Sequence, residues 1–267
     1  MKQILKKFLL KYDWFDFIKY STFISVYQFF FKPEIVRQHK KEILLYKSFL
    51  PSCGLIFDIG ANDGHKTAAF LAISKMVVCC EPDTHNFHKL RVRFRNRKKR
   101  VILVNKALSD QEGQALLYIH RAGSAFNTMN QKWVKILEKD NLRIWNEKIQ
   151  FSASIPVQLT TLDVLIQKYG NPDFIKIDVE GNELKVLKGL SQKVRWLSFE
   201  CLLPDFMPEL LECIDHLNKL DKQITYNIIL DEKIVSGNFF TIRELFDWLE
   251  RTSAHSLEIV VRMNPEN

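Results

Sequence analysis

Leu55-Ile-Phe-Asp-Ile-Gly-Ala-Asn-Asp-Gly64 is the stretch that decides how this chain folds. An apolar run carries Asp58 near its end, passes through Gly60 and Gly64, and leads straight into an amphipathic segment at Lys66–Ser74. A buried strand that enters a tight glycine turn and then a helix is the opening unit of an open α/β sheet. The glycines allow close backbone approach, and the first amides of the helix face whatever binds there. That geometry suits a nucleotide-like ligand at the carboxyl end of the strand. The spacing is D-x-G-x-x-x-G rather than G-x-G-x-x-G, and the chain has no G-x-x-x-x-G-K-[ST] loop, so a pyrophosphate ligand is disfavoured.

Outward from this turn, short apolar runs alternate with amphipathic segments. Strands are expected at Leu55–Ile59, Met76–Cys80, Val101–Val104, Phe174–Ile177, Trp196–Phe199, Ile224–Leu230 and Leu257–Arg262, with a further short one at Gln114–His120. Helices are expected at Lys66–Ser74, Thr84–Arg95, Leu162–Lys168, Glu183–Leu190, Pro208–Leu220 and Thr241–Thr252. Parallel strands need crossover connections, so the alternation implies a mainly parallel sheet with helices on both faces. Residues 121–157 interrupt it with a polar, Trp-containing insertion.

Residues 1–50 read differently. Phe8, Tyr12, Phe15 and then Tyr20, Phe23, Tyr27 recur at helical steps up to Pro33, which marks a helical appendage before a domain at 51–267. This segment holds ten Lys/Arg against four Asp/Glu, most of the net charge of +8, and Arg91–Arg100 adds seven basic residues without an acid. Both blocks suit an anionic partner, although a solvated helix face is the simpler reading of the second. For the first, an anchor on an anionic membrane and packing on the domain or a second copy stay open. The apolar stretch Phe23–Phe31 is too short to span a bilayer, which takes ~20 residues, and the N-terminus lacks a small-residue cleavage site. The expected location is therefore cytoplasmic, with peripheral contact at the inner membrane face as an option. Cys53, Cys79, Cys80, Cys201 and Cys213 show no C-x-x-C spacing and read as reduced, buried thiols.

Two further constellations carry chemistry. Glu81 ends the second strand about 20 residues after the glycine turn, where a carboxylate can accept from both hydroxyls of a ribose. Asp173-Phe-Ile-Lys-Ile-Asp-Val-Glu-Gly-Asn-Glu183 places Lys176 inside an apolar strand that ends in Asp178, Glu180 and Glu183. A buried lysine beside carboxylates is costly unless paired, so this strand reads as a site. Glu200 takes the equivalent place on the following strand, either in the site or as an ion-pair partner of Lys176.

Taken together, Phe57-Asp-Ile-Gly-Ala-Asn-Asp-Gly64, Glu81-Pro82, Val104-Asn-Lys-Ala-Leu-Ser109, Thr161-Leu-Asp163 and Ile175-Lys-Ile-Asp-Val-Glu-Gly-Asn-Glu-Leu184 resemble the class I S-adenosylmethionine-dependent methyltransferases, and within them the FkbM family. The resemblance covers roughly residues 50–205. It implies a Rossmann-like, seven-stranded sheet with a reversed final strand, and methylation of a hydroxyl, often on a sugar or a polyketide-type product. It also implies that Asp58, Gly60, Asn62 and Gly64 form the methionine and ribose side of an S-adenosyl-L-methionine pocket, that Glu81 holds the ribose, and that Asn105 lies near the adenine. Where many relatives carry an aromatic residue after the turn, this chain has His65.

The expected reaction is methyl transfer to a hydroxyl of a small molecule or glycan, with Asp178 as the base and Lys176 and Glu200 beside it. Such a hydroxyl is a weak nucleophile until a base accepts its proton. A magnesium ion at Asp178 and Glu200 is an alternative, but two carboxylates make a thin shell for it and the metal-free route is favoured. His85, His88 and His120 are weaker candidates for a base. Two rival readings are a nucleic-acid methyltransferase, against which the absence of any Pro-Pro dipeptide speaks, and a catalytically silent cofactor-binding protein.

Overall fold

The computed structural model describes residue 20, residues 33–139 and residues 148–263. The helices expected before Pro33 lie, Tyr20 apart, outside the described residues. Helix α1 (Pro33–Lys47) opens on proline, whose missing N–H and fixed φ suit the first helical position. It turns Glu42 and Tyr46 inward. The Tyr46 ring meets Phe70 at 4.9 Å and Phe174 at 5.8 Å between centroids, and with Leu50, Ile56 and Val77 it forms one buried cluster. The described part of the appendage thus packs on the sheet.

The central elements are β1 (Cys53–Ile59), α2 (His65–Phe70), β2 (Ser74–Cys80), α3 (Thr84–Arg93) and β3 (Val101–Val104). A small sheet follows: β4 (Ala107–Leu108), β5 (Gly113–Ile119), α4 (Gln131–Lys139) and β6 (Ala153–Thr160). The chain then returns to the centre through α5 (Leu162–Tyr169), β7 (Phe174–Ile177), α6 (Glu183–Lys188) and β8 (Trp196–Leu202). It closes with α7 (Met207–Leu220), β9 (Thr225–Leu230), β10 (Lys233–Ile234), α8 (Ile242–Leu249) and β11 (Ser256–Arg262).

The large sheet runs β10-β9-β11-β8-β7-β1-β2-β3. Strands β3, β2, β1, β7 and β8 are mutually parallel, and β11 inserts antiparallel between β8 and β9. The expected reversed final strand is therefore present, and the short β10 folds back on β9 as an eighth strand. The parallel strands are apolar on both faces because the chain covers both: Phe57, Ile59, Ile175 and Ile177 on one face and Ile56, Val77 and Phe174 on the other are fully buried. From β1 the chain winds outward to β2 and β3, then crosses back to β7 on the other side of β1. That switch point opens a crevice at the carboxyl ends of β1 and β7.

The region between β3 and α5 departs from the expectation of one extra strand and an irregular insertion. It holds a three-stranded sheet of order β4-β6-β5 around Leu117, Val157 and Leu159, together with α4. Pro156 argues against a strand on sequence grounds, yet Ile155, Val157 and Leu159 alternate inward around it. The five cysteines are free and buried. No helix among the described residues is long and apolar enough to cross a membrane.

Candidate functional site

The crevice is a cavity of ≈ 240 Å³ whose walls come from the turns after β1, β2 and β7 and from the insertion. The turn after β1 demands left-handed backbone: Gly60 has φ +81°, Asn62 φ 50° and Gly64 φ +79°. Its glycines are required by the protein's own packing. A Cβ on Gly60 would lie 1.7 Å from the Asp178 carbonyl oxygen, and one on Gly64 would lie 2.6 Å from both Leu90 and Phe94. Beneath the turn, the fully buried Asp58 carboxylate accepts the Thr67 hydroxyl, and burial pushes its pKa up to about 6. Asp58 and Gly64 do not line the cavity, whereas Gly60 and Asn62 do.

Glu81 stands on the wall at the end of β2. Asn62 N–H donates to its Oε2 at 2.7 Å and Asp83 N–H to its Oε1 at 2.8 Å, so the carboxylate is gripped by backbone. Burial still raises its pKa to about 7. Asn105 is exposed and lies off the cavity wall; its amide donates to the Glu81 carbonyl at 2.7 Å and clamps the bend after β2. Lys106, Ala107 and Leu108, next in sequence, face the cavity instead.

The opposite wall is acidic. Asp178 and Glu180 both line it, and a carboxylate oxygen from each lies within 4.8 Å of one from Glu200. Beneath them the Lys176 ammonium, 2% exposed, sits 3.4 Å from Asp178 Oδ2 and 3.6 Å from Glu258 Oε2. Burial disfavours the lysine's charge, but Asp178, Glu258 and Glu200 outweigh it and raise its pKa. Burial likewise works against the Asp178 charge, and Lys176 together with a hydrogen bond from Glu200 overcomes it, holding that carboxyl below its usual range. Glu200, buried beside the ionised Asp178, is pushed up to about 8, and Ser256 donates to it at 2.8 Å. Glu180 rises well above the usual carboxylate range through burial and its acidic neighbours, with Trp133 Nε1–H donating to it at 3.1 Å. The three carboxyl groups thus divide, with Asp178 held towards its ionised form and Glu180 and Glu200 towards their protonated forms. Lys176 and Glu200 support this wall from behind and do not line the cavity.

The insertion bridges the two walls. Asn127 Nδ2 donates to Asp83 Oδ2 at 2.7 Å on one side, and Thr128 Oγ1 donates to the Glu180 carbonyl at 2.7 Å on the other. Asn130 is hydrogen bonded to the Gly181 carbonyl. Ser124, Asn127, Thr128 and Met129 therefore face the cavity. Nothing in the sequence marks them, because uncharged residues in an insertion carry no spacing signal; Glu180 is visible within the acidic motif, but only the fold brings it to the cavity.

His65 and Lys66, at the start of α2, form the rim. Both reach Glu42 of α1, His65 Nε2 at 3.1 Å and Lys66 Nζ at 2.9 Å. Burial opposes the Glu42 charge, yet these two partners bring its pKa down to about 2. His120 lies away from the cavity against Gln150, and His85 and His88 belong to α3. The basic block at 91–100 is partly structural: Arg93 holds the Asp63 carbonyl at 2.8 Å, and Arg100 caps the Leu71 and Ser74 carbonyls at 2.6 and 2.7 Å.

A family model described as the methyltransferase FkbM domain matches residues 58–221, the span from the end of β1 to the end of α7. Among solved structures, methyltransferase FkbM from Methylobacillus flagellatus KT is similar at 16% identity with a TM-score of 0.48, over 70% of this chain and 44% of that one. This chain thus corresponds to less than half of that protein's length. The O-methyltransferase from Bacillus cereus in complex with SAH is similar at 13% identity and TM-score 0.40, over 85% of this chain and 80% of that one. An rRNA methylase from Streptococcus thermophilus is similar at 10% identity and TM-score 0.40, over 86% and 95%. No curated protein matches the chain in sequence.

Proposed function

This chain belongs to the FkbM methyltransferase family, and from that premise we propose that it moves a methyl group from S-adenosyl-L-methionine to a hydroxyl of a sugar, in a surface glycan or a secondary metabolite. The observation that carries the reading is a single cavity with a backbone-gripped Glu81 on one wall and an ionised Asp178 on the other. Glu81 fits the cofactor's ribose: each oxygen has one backbone donor and a second lone pair to offer, and burial makes the carboxylate short of hydrogen bonds. The Gly60–Asp63 backbone would line the methionine side, and Pro82, Ala107 and Leu108 offer apolar surface for the adenine.

When bound, the cofactor supplies an electrophilic methyl on a sulfonium. Asp178 accepts a hydrogen bond from the acceptor hydroxyl, orients it for in-line approach and takes its proton. A carboxylate with a lowered pKa is a weak base toward an alcohol, but it suffices once the oxygen carries the methyl and has become strongly acidic. Lys176 keeps Asp178 ionised until it takes that proton, acting through it as a positioning residue. Protonated Glu200 donates to Asp178 and fixes its plane.

Glu180 favours a second reading. With Asp178 and Glu200 it completes an oxygen-donor trio that would hold a magnesium ion, whose role would be to lower the pKa of the acceptor hydroxyl. The metal-free route is preferred because Lys176 already supplies the positive charge that Asp178 faces. For residues 1–50 two roles stay open, contact with an anionic membrane surface and packing on the domain or a second copy, the latter already made by Pro33–Lys47 on the sheet; sedimentation with anionic liposomes that ends as salt rises would select the first, and none the second.

The test is calorimetric titration with S-adenosylhomocysteine, followed by a methyl-transfer screen of sugars and oligonucleotides, with and without EDTA. Wild-type binding that Glu81→Gln abolishes, together with EDTA-resistant transfer to a sugar hydroxyl, is the expected result. Transfer to oligonucleotides would favour a nucleic-acid substrate, and binding without any turnover a silent cofactor-binding protein. Activity that EDTA removes and magnesium restores would select the metal route.

A further inference from the structure

His65 follows the glycine turn and lines the cavity rim, yet the methyl-transfer reading gives it nothing to do. Its Nε2 lies 3.1 Å from Glu42 Oε2, and His39, three residues before Glu42 on α1, brings Nδ1 to 3.9 Å from the same oxygen. The three donor atoms all lie within 4.8 Å of one another. The Glu42 side chain is only 8% exposed, and its two oxygens are treated differently. Oε1 holds the Lys66 ammonium at 2.9 Å, whereas Oε2 is fully buried and has no hydrogen bond of acceptable geometry, although two imidazoles flank it. A buried carboxylate oxygen left this way is costly, and the groups around it offer nitrogen lone pairs.

We propose that His39, Glu42 and His65 form a site for a divalent transition-metal ion, zinc foremost, which ties α1 to the turn at the rim of the cavity. Two imidazoles and a carboxylate are a donor set that zinc accepts tetrahedrally with water in the fourth position, whereas magnesium prefers all-oxygen shells. One turn of helix supplies His39 and Glu42 from the same face, so only His65 comes from elsewhere. Lys66 on the remaining oxygen fixes the carboxylate's orientation, the task of a group outside the ligand shell. The elements differ from those of the Asp178, Glu180 and Glu200 trio, and the ion's role is to hold the rim; it takes no part in the chemistry.

The test uses the full chain without cofactor, stripped by chelator and titrated with cobalt(II) while the visible spectrum is recorded. One equivalent should raise the absorption of a tetrahedral nitrogen–oxygen site, without a thiolate charge-transfer band, and zinc should displace it. His39→Gln, Glu42→Gln and His65→Gln should each weaken binding roughly tenfold or more, since even groups outside the ligand shell cost that much. Asp178→Asn should leave the spectrum unchanged. His65 is the half-exposed member, so its variant keeps the test informative if Glu42→Gln fails to fold. No tetrahedral band, a thiolate band, or equal affinity in His65→Gln would overturn the site and leave Glu42 as the partner of Lys66 and His65 without a metal.

Discussion

At the β1–β2 end of the cavity the polar groups are met by backbone and hydroxyl; at the β7–β8 end the carboxylates largely meet one another. Glu81 is held by two main-chain N–H groups and Asp58 by Thr67, while Gly60 and Gly64 give way to Asp178, Leu90 and Phe94. Across the cavity, Asp178 and Glu200 share one buried lysine with Glu258, and Glu180 stands beside them. The first end is built as a scaffold, with each group's partner fixed before any ligand arrives. The second crowds carboxyl groups that cannot all ionise together without cost, as expected where the chemistry is done.

The largest effect expected from this contrast is at Gly60. A side chain there must enter a φ of +81° and a 1.7 Å approach to the Asp178 carbonyl oxygen. Gly60→Val should therefore cost more than ~4 kcal/mol, the range reserved for failures of special backbone or packing. Urea unfolding measures it. A variant as stable as wild type that had lost only cofactor affinity would mean that the glycine serves the ligand, and would break the contrast at its scaffold end.

How much of this could be read beforehand follows the same division. The strands around the crevice were legible because Phe57, Ile175 and Leu197 lie in short apolar runs bounded by turn residues, and the glycine turn because its φ values leave little choice. The role of the glycines was not legible. Spacing says that backbone approaches closely, but only the fold reveals that the approaching atom is Asp178 O. Strand β6 was hidden by Pro156, and α4 lay in a stretch expected to be irregular. Glu42 and His65 are far apart in sequence, and neither belongs to a spacing that would announce the pair.

The acid end should respond in activity more than in stability. Asp178→Asn keeps the shape and removes the charge that Lys176 stabilises, so kcat should fall by ~10²–10⁴, the usual contribution of a positioned base. Binding of S-adenosylhomocysteine should change little. Loss of folding comparable to Gly60→Val would show that Asp178 is structural and erase the difference between the two ends.

The next effect is a pH dependence shared by both. Glu81 and Glu200 have folded pKa values of about 7 and about 8, above the ordinary carboxylate value. A raised folded pKa means that the unfolded chain loses its proton first. Stability on this account is full below pH ~4 and falls as pH rises, for Glu81 until about 7 and for Glu200 until about 8. Glu42, lowered to about 2, acts in the opposite sense, and its contribution is complete above the unfolded value. Thermal melts of the cofactor-free protein between pH 5 and 8 should therefore show a decline that Glu81→Gln and Glu200→Gln each reduce. A flat profile in wild type would mean that both acids are already satisfied in the absence of ligand.

The smallest effect lies where the insertion meets the acid end. Trp133 Nε1–H donates to the Glu180 carboxylate at 3.1 Å, and a hydrogen bond to the charged form lowers a pKa. Trp133→Phe keeps an aromatic ring against Phe206 and removes that donor together with part of the buried indole. The stability cost should be ~1–2 kcal/mol, that of one hydrogen bond to a buried polar group. The consequence for Glu180 has a definite sign: without Trp133 its already raised pKa rises further, and it stays protonated to higher pH. If its proton helps to keep Asp178 the sole ionised member of the acidic trio, the alkaline limb of kcat should move upward in the variant. A downward shift would mean that ionised Glu180 is the working form and would favour the magnesium-binding trio, whereas an unmoved limb with a normal stability cost would confine Trp133 to packing and leave the acid end independent of the insertion.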